Sequence, residues 1–263
     1  MSNMLGFGDV SISWEEVADA AMKLVDDDEP FFIWLMLLDT HWPYQPPKQY
    51  DGGLPFHVRT RANWVASNFS NAEPTDRDTD CIESLYRGTV KSVDECIEML
   101  LDELESYEPI FVVTGDHGEA FGEHGTYGHG EILFEETIHV PLILSDVYRN
   151  DREGQSVSSP ISLSKTPAIL TAVANDRLNA NEYTEDWVYS QSERGDVCVR
   201  GKNWKYYRLP GEKSLFYDLS NDSDEQNGVG MTLDALPNKY LSYMKEVNQI
   251  SMGSDQREIL ENL

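Results

Sequence analysis

Two short apolar runs, Phe31-Phe-Ile-Trp-Leu-Met-Leu-Leu38 and Pro109-Ile-Phe-Val-Val-Thr114, each break off into an acidic residue and a histidine. Neither run alternates with polar residues and both are short, so each predicts a strand buried on both faces of a parallel sheet. A capping box at Ser13-Trp-Glu-Glu16 opens a helix that carries Val17, Ala20, Ala21, Leu24 and Val25 at helical spacing. A second helix is expected from about Thr79 to Glu105, with Ile82, Leu85, Val90, Val93, Ile97, Leu100, Leu101 and Leu104 on one stripe. Helix, strand, loop, helix, strand is the rhythm of a doubly wound α/β sheet, whose ligands gather at the carboxyl ends of the strands. Asp39-Thr-His41 and Gly115-Asp-His-Gly118 both stand at such ends.

The rest of the chain divides by texture. Residues 42–75, rich in Pro, Gly and Asn, read as a long surface excursion. Thr137-Ile-His-Val-Pro-Leu-Ile-Leu144 predicts a third strand, with Pro141 marking an edge or a bend, and a helix is expected from Lys165 to Ala174. Beyond it, short aromatic runs at 187–190, 197–200, 204–209 and 215–218, parted by turn residues such as Gly201-Lys-Asn203, predict a small antiparallel sheet. An amphipathic helix at 238–250 would pack over it, and the last dozen residues would fray. The expected division is an α/β core over 1–178 and a small antiparallel-sheet subdomain with a tail over 179–263.

Composition narrows the function classes. Among 263 residues, 40% are hydrophobic and 11% aromatic, ample for a buried core, and no apolar run approaches the about 20 residues of a membrane span. The formal net charge of −27 disfavours nucleic acid and anionic lipid as partners. At about 1 M salt the Debye length shrinks to roughly 3 Å, so such a surface suits concentrated salt, as in a halophilic cytoplasm. Cys81, Cys96 and Cys198 are widely spaced and form no CxxC, which reads as structural thiols in a reducing compartment. The first residues, MSNMLGFGDVSISW, lack a basic stretch followed by an apolar one, so a cytoplasmic location is expected.

Residues 115–136, GDHGEAFGEHGTYGHGEILFEE, concentrate three of the six histidines with six acidic residues and six glycines. A carboxylate beside an imidazole at a strand end offers two ligands to one divalent ion. The glycines allow the backbone turns that would return a second histidine to the same place. No His-Glu-x-x-His order and no G-x-S-x-G elbow is present, so zincin and Ser-His-Asp chemistries are set aside.

These residues resemble a family. Thr114-Gly-Asp-His-Gly-Glu119, Gly122-Glu-His-Gly125, Gly128-His-Gly130 and the stretch from Glu135 to Ile143 are similar to the C-terminal signature of the sulfatases, in the alkaline phosphatase superfamily. The segment from Pro30 to Pro47 resembles the family's strand followed by D-x-H-x-P-Y. Ser164 to Leu170 resembles its D-x-x-P-T-L-L helix, and residues 201–207 and 215–219 resemble its small C-terminal sheet. The resemblance covers about residues 14–225 and implies a partial alkaline-phosphatase-like α/β/α sandwich.

It further implies a divalent cation, usually calcium with magnesium or manganese as alternatives, ligated by Asp116 and His117. His41 would contact the sulfate group or protonate the leaving oxygen. His129 stands where many members place a lysine that binds a sulfate oxygen. His124 and Glu119 match the motif without an assignable role, while His139 and His57 read as structural. The implied substrate is a small anionic sulfate ester, with phosphodiesters or phosphonate monoesters as the alternative. The chain departs from the family in having no C/S-x-P/A-x-R segment for a formylglycine nucleophile and no early acidic metal-binding pair. The expectation is therefore the C-terminal portion of a sulfatase-like enzyme, from a split gene, a fragment or a misplaced start codon. It would be inactive alone, whether a remnant or a subunit, and would need a missing N-terminal half or self-association to cover its core.

Overall fold

The computed structural model describes residues 13–25, 29–129, 132–145, 154, 156–192, 194–208 and 214–230. They fall into two compact units: one holds the chain up to Pro109 together with 121–128, and the other holds 110–120, 129–145 and the C-terminal region.

The first unit is helical. α1 (Trp14–Met22) begins at the expected place, but Ser13 makes no side-chain cap bond; Trp14 instead donates its indole N–H to Ser92 Oγ at 2.9 Å. The expected surface excursion is in fact part of the core. α2 (Phe56–Ser67) and the short α3 (Phe69–Ala72) lie within it, and Tyr44, Ala62 and Val65 pack with Cys81, Ile82 and Leu85. The buried Asn63 amide satisfies the backbone of Tyr44 in both directions, accepting its N–H at 2.7 Å and donating to its carbonyl at 3.0 Å.

α4 (Asp76–Glu103) starts three residues earlier than expected, because Thr75 and Asp78 form a capping box. Arg61 of α2 grips the Asp78 carboxylate with two N–H groups at 2.6 and 2.7 Å, which holds that carboxyl well below its ordinary range. The buried stripe of α4 runs through Ile82, Leu85, Thr89, Ser92, Cys96 and Leu100; Val90 lies off it and is exposed.

Phe31–Leu38 corrects the expectation of a strand buried on both faces. It joins none of the sheets among the described residues, and its burial alternates: Phe32, Trp34, Met36 and Leu38 are exposed, Trp34 by 81%. Period-two alternation is that of an extended chain, so the residues are strand-like while half of their side chains lack cover.

In the second unit β1 (Phe111–Thr114) runs antiparallel to β4 (Leu142–Ser145), with Thr114 opposite Leu142, where a parallel neighbour was expected. β2 (Ala120–Phe121) and β3 (Tyr127–Gly128) pair with each other, one residue of β2 belonging to each unit. The expected strand at 137–144 is divided: Glu135–Ile138 form the helical turn α5, and the paired strand begins only after Pro141.

α6 (Thr166–Ala174) lies where predicted, with Pro167 in its first turn. The small antiparallel sheet is present as β5 (Trp187–Gln191), β6 (Val197–Gly201), β7 (Trp204–Arg208), β8 (Leu215–Asp218) and a short β9 (Val229–Gly230), in that order. The helix expected at 238–250 lies outside the described residues.

One face of this sheet gathers Val197, Val199 and Tyr206; the other packs Cys198, Tyr207 and Tyr217 against Leu133, Phe134 and Ile138. The second face thereby anchors α5 and the residues before it. All three cysteines are buried and free; burial pushes Cys96 to about 11 and Cys198 to about 12, so neither thiol is poised to react.

Candidate functional site

The loop after β1 is shaped by contacts it cannot relax. Thr114, the last residue of the strand, donates its hydroxyl to the carbonyl of Pro141 at 2.8 Å. Gly118 donates its N–H to the carbonyl of Thr137 in α5 at 2.8 Å. A Cβ at Gly118 would meet the Glu136 carbonyl oxygen at 2.1 Å, so only glycine permits this approach. Thr137 is buried, its hydroxyl donating to Ile132 and Phe134 carbonyls. The small sheet fixes α5, and α5 fixes the loop.

Asp116 and His117 stand exposed on that loop, with Asp116 Oδ1 accepting the His117 backbone N–H at 3.0 Å and lying 3.7 Å from its Nε2. His117 Nδ1 contacts the Gly118 carbonyl at 2.8 Å. A carbonyl only accepts, so Nδ1 is the donor here, and Nε2 is the ring nitrogen left to meet a ligand. His129 returns to the same place, its imidazole stacked on that of His117 with centroids 3.9 Å apart and planes 26° from parallel. Its Nδ1 lies 2.8 Å from Glu119 Oε2. Asp116, His117, Glu119 and His129 all belong to the second unit.

The structure thus brings together three of the four residues singled out from sequence. The fourth, His41, belongs to the first unit, where it is exposed just after the extended segment and donates its backbone N–H to the Leu38 carbonyl at 3.0 Å. His124 also belongs to that unit and takes a left-handed φ of 50° inside a single 3-10 turn. His139 pairs with Glu135 at 3.2 Å, a structural use, and His57 is exposed on α2.

Sequence reasoning left Glu119 without a role, yet its carboxylate Oε2 lies 2.8 Å from Nδ1 of His129. One ligand atom from each of His117, Glu119 and His129 lies within 4.8 Å of the other two. The only available signal was the spacing: an acid two residues after one histidine and ten before another is silent until the chain folds back. Among the described residues no helix is long and apolar enough to cross a membrane.

The profile of the family described as Sulfatase matches residues 8–174. Among curated proteins the chain is 27% identical over 142 residues to an arylsulfatase of Clostridium perfringens, covering 46% of this chain and 28% of that protein. It is 24% identical over 220 residues to the low-salt glycan biosynthesis sulfotransferase Agl7 of Haloferax volcanii, covering 80% of this chain and 49% of that one. The chain thus spans about half or less of the curated relatives it matches. A crystal structure of a phosphonate monoester hydrolase of Agrobacterium radiobacter superposes with a TM-score of 0.69 at 17% identity, over 92% of this chain and 62% of the other. The fold is therefore the alkaline-phosphatase-like mixture of helices and sheets, with its small antiparallel sheet. With a matching profile over most of its length and the Asp-His-Gly loop at the end of β1, this chain belongs to the sulfatase family.

Proposed function

We propose that this chain carries part of the active site of a sulfatase-type hydrolase acting on small anionic sulfate esters. The observation that supports this most is the gathering of Asp116, His117 and His129 beyond one strand end in one compact unit. Family members work with divalent metals. The exposed Asp116 carboxylate and the His117 Nε2 suit part of such a site, since a carboxylate oxygen and an imidazole nitrogen lie 3.7 Å apart on the loop. When bound, the cation, calcium by resemblance with magnesium or manganese as alternatives, would neutralise charge on the sulfate oxygens.

The chain's own residues do the rest of the work assigned to it. A protonated His129 donates a charge-assisted hydrogen bond to a sulfate oxygen, as a lysine would. His41 contacts the sulfate or gives a proton to the leaving oxygen. Two donors fall short of the six to eight oxygens calcium takes, so further ligands and the nucleophile come from additional polypeptide. The uncovered row of Phe32, Trp34 and Met36 supports such a covering segment. The surplus of acidic residues supports work in concentrated salt, and the three buried thiols support a reducing, cytoplasmic setting.

The test is sulfate-ester hydrolysis by the assembled protein. Asp116→Ala should abolish turnover because it removes an anionic ligand, and His129→Lys should keep much of it because the cationic donor remains. Normal turnover by the first variant would sink the metal assignment. The Asp-His-Gly element is shared with phosphodiester and phosphonate monoester hydrolases, so paired sulfate and phosphate ester assays decide the leaving group. Turnover of neither ester by the assembled protein would leave a non-catalytic relative.

A further inference from the structure

We propose that the outward face of α2 is a docking surface for an anionic saccharide chain, whose rings lie on Phe56 and Trp64 while its charged groups meet His57 and Arg61. The inference goes beyond the reaction proposed above and needs no turnover.

The charge pattern points there first. The chain averages more than one acidic residue in six, yet residues 40–72 hold a single one, Asp51, and Arg59 pairs with it at 3.1 Å. Lys48, His57 and Arg61 are exposed in the same stretch. Helix α2 itself carries no carboxylate. Arg61 grips Asp78 through Nε and Nη2, which leaves Nη1 outside that pair, and about half of its side chain meets water. On a molecule with a net charge of −27 an anion is repelled over most of the surface. A helix without carboxylates is where it can approach.

The aromatic residues decide the kind of anion. Phe56 and Trp64 are 72% and 46% exposed at positions i and i+8 of the helix, with Thr60 between them on the same stripe. His57 and Arg61 flank that stripe, one position further on in each turn. At 1.5 Å per residue the two rings stand about 12 Å apart along the axis. That spacing is wider than one sugar ring, and it breaks up the contiguous apolar patch that a protein partner would bury. Pyranose rings offer C–H faces to aromatic side chains and carry their charged groups at the edge. A chain of a few sugars therefore matches both rings and the donors beside them, and a guanidinium suits sulfate and carboxylate alike. A free inorganic anion gains nothing from the rings, and anionic lipid meets the repulsion of the whole molecule.

The face is held from behind. Ala62 and Val65, on the opposite side of α2, pack with Cys81, Ile82 and Leu85 of α4. The Asn63 carbonyl accepts the Trp42 indole N–H at 2.9 Å, and its side chain accepts the Tyr44 N–H at 2.7 Å. The helix is thus locked to the turn that follows His41, and both belong to one compact unit.

The experiment titrates the whole 263-residue chain by calorimetry with three hexasaccharides: one derived from heparin, one from polygalacturonate, and neutral maltohexaose. An anionic probe should bind, and maltohexaose should bind about tenfold more weakly or less well still. Binding of the heparin probe alone supports the proposal with sulfate as the recognised group; binding of both anionic probes supports it with shared negative charge. Trp64→Ala and Phe56→Ala should each weaken binding by about fivefold, while Trp64→Phe, which keeps a ring, should bind nearly as the native chain does. His57→Glu should cost about fivefold at low salt and less at molar salt. Circular dichroism reports folding, and His57→Glu, at an exposed position, keeps the test open if an aromatic variant fails to fold. No binding of either anionic probe at millimolar concentration overturns the proposal. So does maltohexaose binding as tightly as the others, or binding indifferent to both Trp64→Ala and His57→Glu. A shift of the free chain towards monomer in Trp64→Ala, with no saccharide bound by the native chain, also overturns it and gives the face to a second copy. Failure of the assembled protein to hydrolyse any ester would sink the functional reading and leave the hexasaccharide result standing.

Discussion

Lys205, the second residue of β7, places its ammonium 2.8 Å from Glu225 Oε1, and neither side chain has any solvent exposure. The same ammonium lies 3.6 Å from Glu135 and over the ring of Phe134, 5.6 Å from its centroid, while Arg200 reaches Glu135 at 2.9 Å. Glu225 Oε2 accepts the backbone N–H of Glu135 at 2.7 Å. The start of α5, and through it the Asp116 loop, is therefore tied to the small sheet by charge as well as by packing. Removing one member of such a buried group strands the others.

Lys205→Met should cost about 3–5 kcal/mol of stability, because two carboxylates are left buried without their shared cation. Urea unfolding checks this. The double variant Lys205→Met with Glu225→Leu should recover a good part of the loss, since it removes the stranded charge along with its partner. A cost below about 1 kcal/mol for the single variant, no more than an exposed pair is worth, would show that the network is solvated.

Acid should loosen the same region. Burial alone would raise the Glu135 carboxyl, but bonds from His139 and Arg200 and the charge of Lys205 outweigh it and hold the group at about 2 against an ordinary 4.5. A depressed carboxyl gives stability that is complete above its unfolded value and fades as pH falls from about 4.5 to about 2. At about 1.4 kcal/mol per unit, the amount at stake is about 3 kcal/mol. Asp78, also depressed by Arg61, adds a loss of the same sign, while Glu225, raised by burial, works against it. Urea midpoints between pH 2 and 6 should fall towards acid in the native chain and fall less in Glu135→Gln. Parallel slopes for the two proteins would remove Glu135 from the account.

Gly118→Ala should destabilise by about 1–3 kcal/mol, the usual cost of forcing a methyl into filled space. The intruding Cβ would lie 2.1 Å from a carbonyl oxygen, so the backbone of either the loop or α5 must shift. Thermal unfolding measures the loss. The movement should also part His117 from His129, seen as a change in their imidazole resonances. An unchanged melting temperature would mean that the loop is looser than its contacts imply.

Much of this was written in the chain, though unevenly. The strands β5 to β8 were legible because aromatic runs and turn residues such as Gly201-Lys-Asn203 fall at strand spacing. The long helix was legible from its stripe, and Asp116, His117 and His129 from their density among glycines. α2 stayed hidden because Val58, Ala62 and Val65 are a thin stripe amid polar residues and prolines, and its burial depends on Tyr44 and Leu85 from elsewhere. α5 was read as strand because Thr, Ile and Val favour strands, but Gly118 needs the Thr137 carbonyl in a helical turn. Glu119 acquired its neighbours only through tertiary folding.

Salt should raise stability. At a net charge of −27 the folded chain repels itself, and screening shortens that repulsion from about 10 Å at 0.1 M to about 3 Å at 1 M. Unfolding midpoints measured from low to molar KCl should climb, most steeply at the low end where screening changes fastest. Equal midpoints throughout would dismiss the saline habitat.

The row Phe32, Trp34 and Met36 carries the last prediction. These side chains are 72%, 81% and 62% exposed on a segment that no strand pairs among the described residues. At about 25 cal/mol per Å², leaving such large side chains in water forgoes about 1.5–3 kcal/mol each, so any apolar surface that reaches them will stick. The isolated chain should associate with rising concentration in sedimentation velocity, and Phe32→Asp with Trp34→Asp should shift it towards monomer without lowering its melting temperature, since neither side chain is packed in the fold. A wild-type chain that stays monomeric at high concentration would mean that the row is already covered within the chain itself. In that event the segment needs no further polypeptide over it.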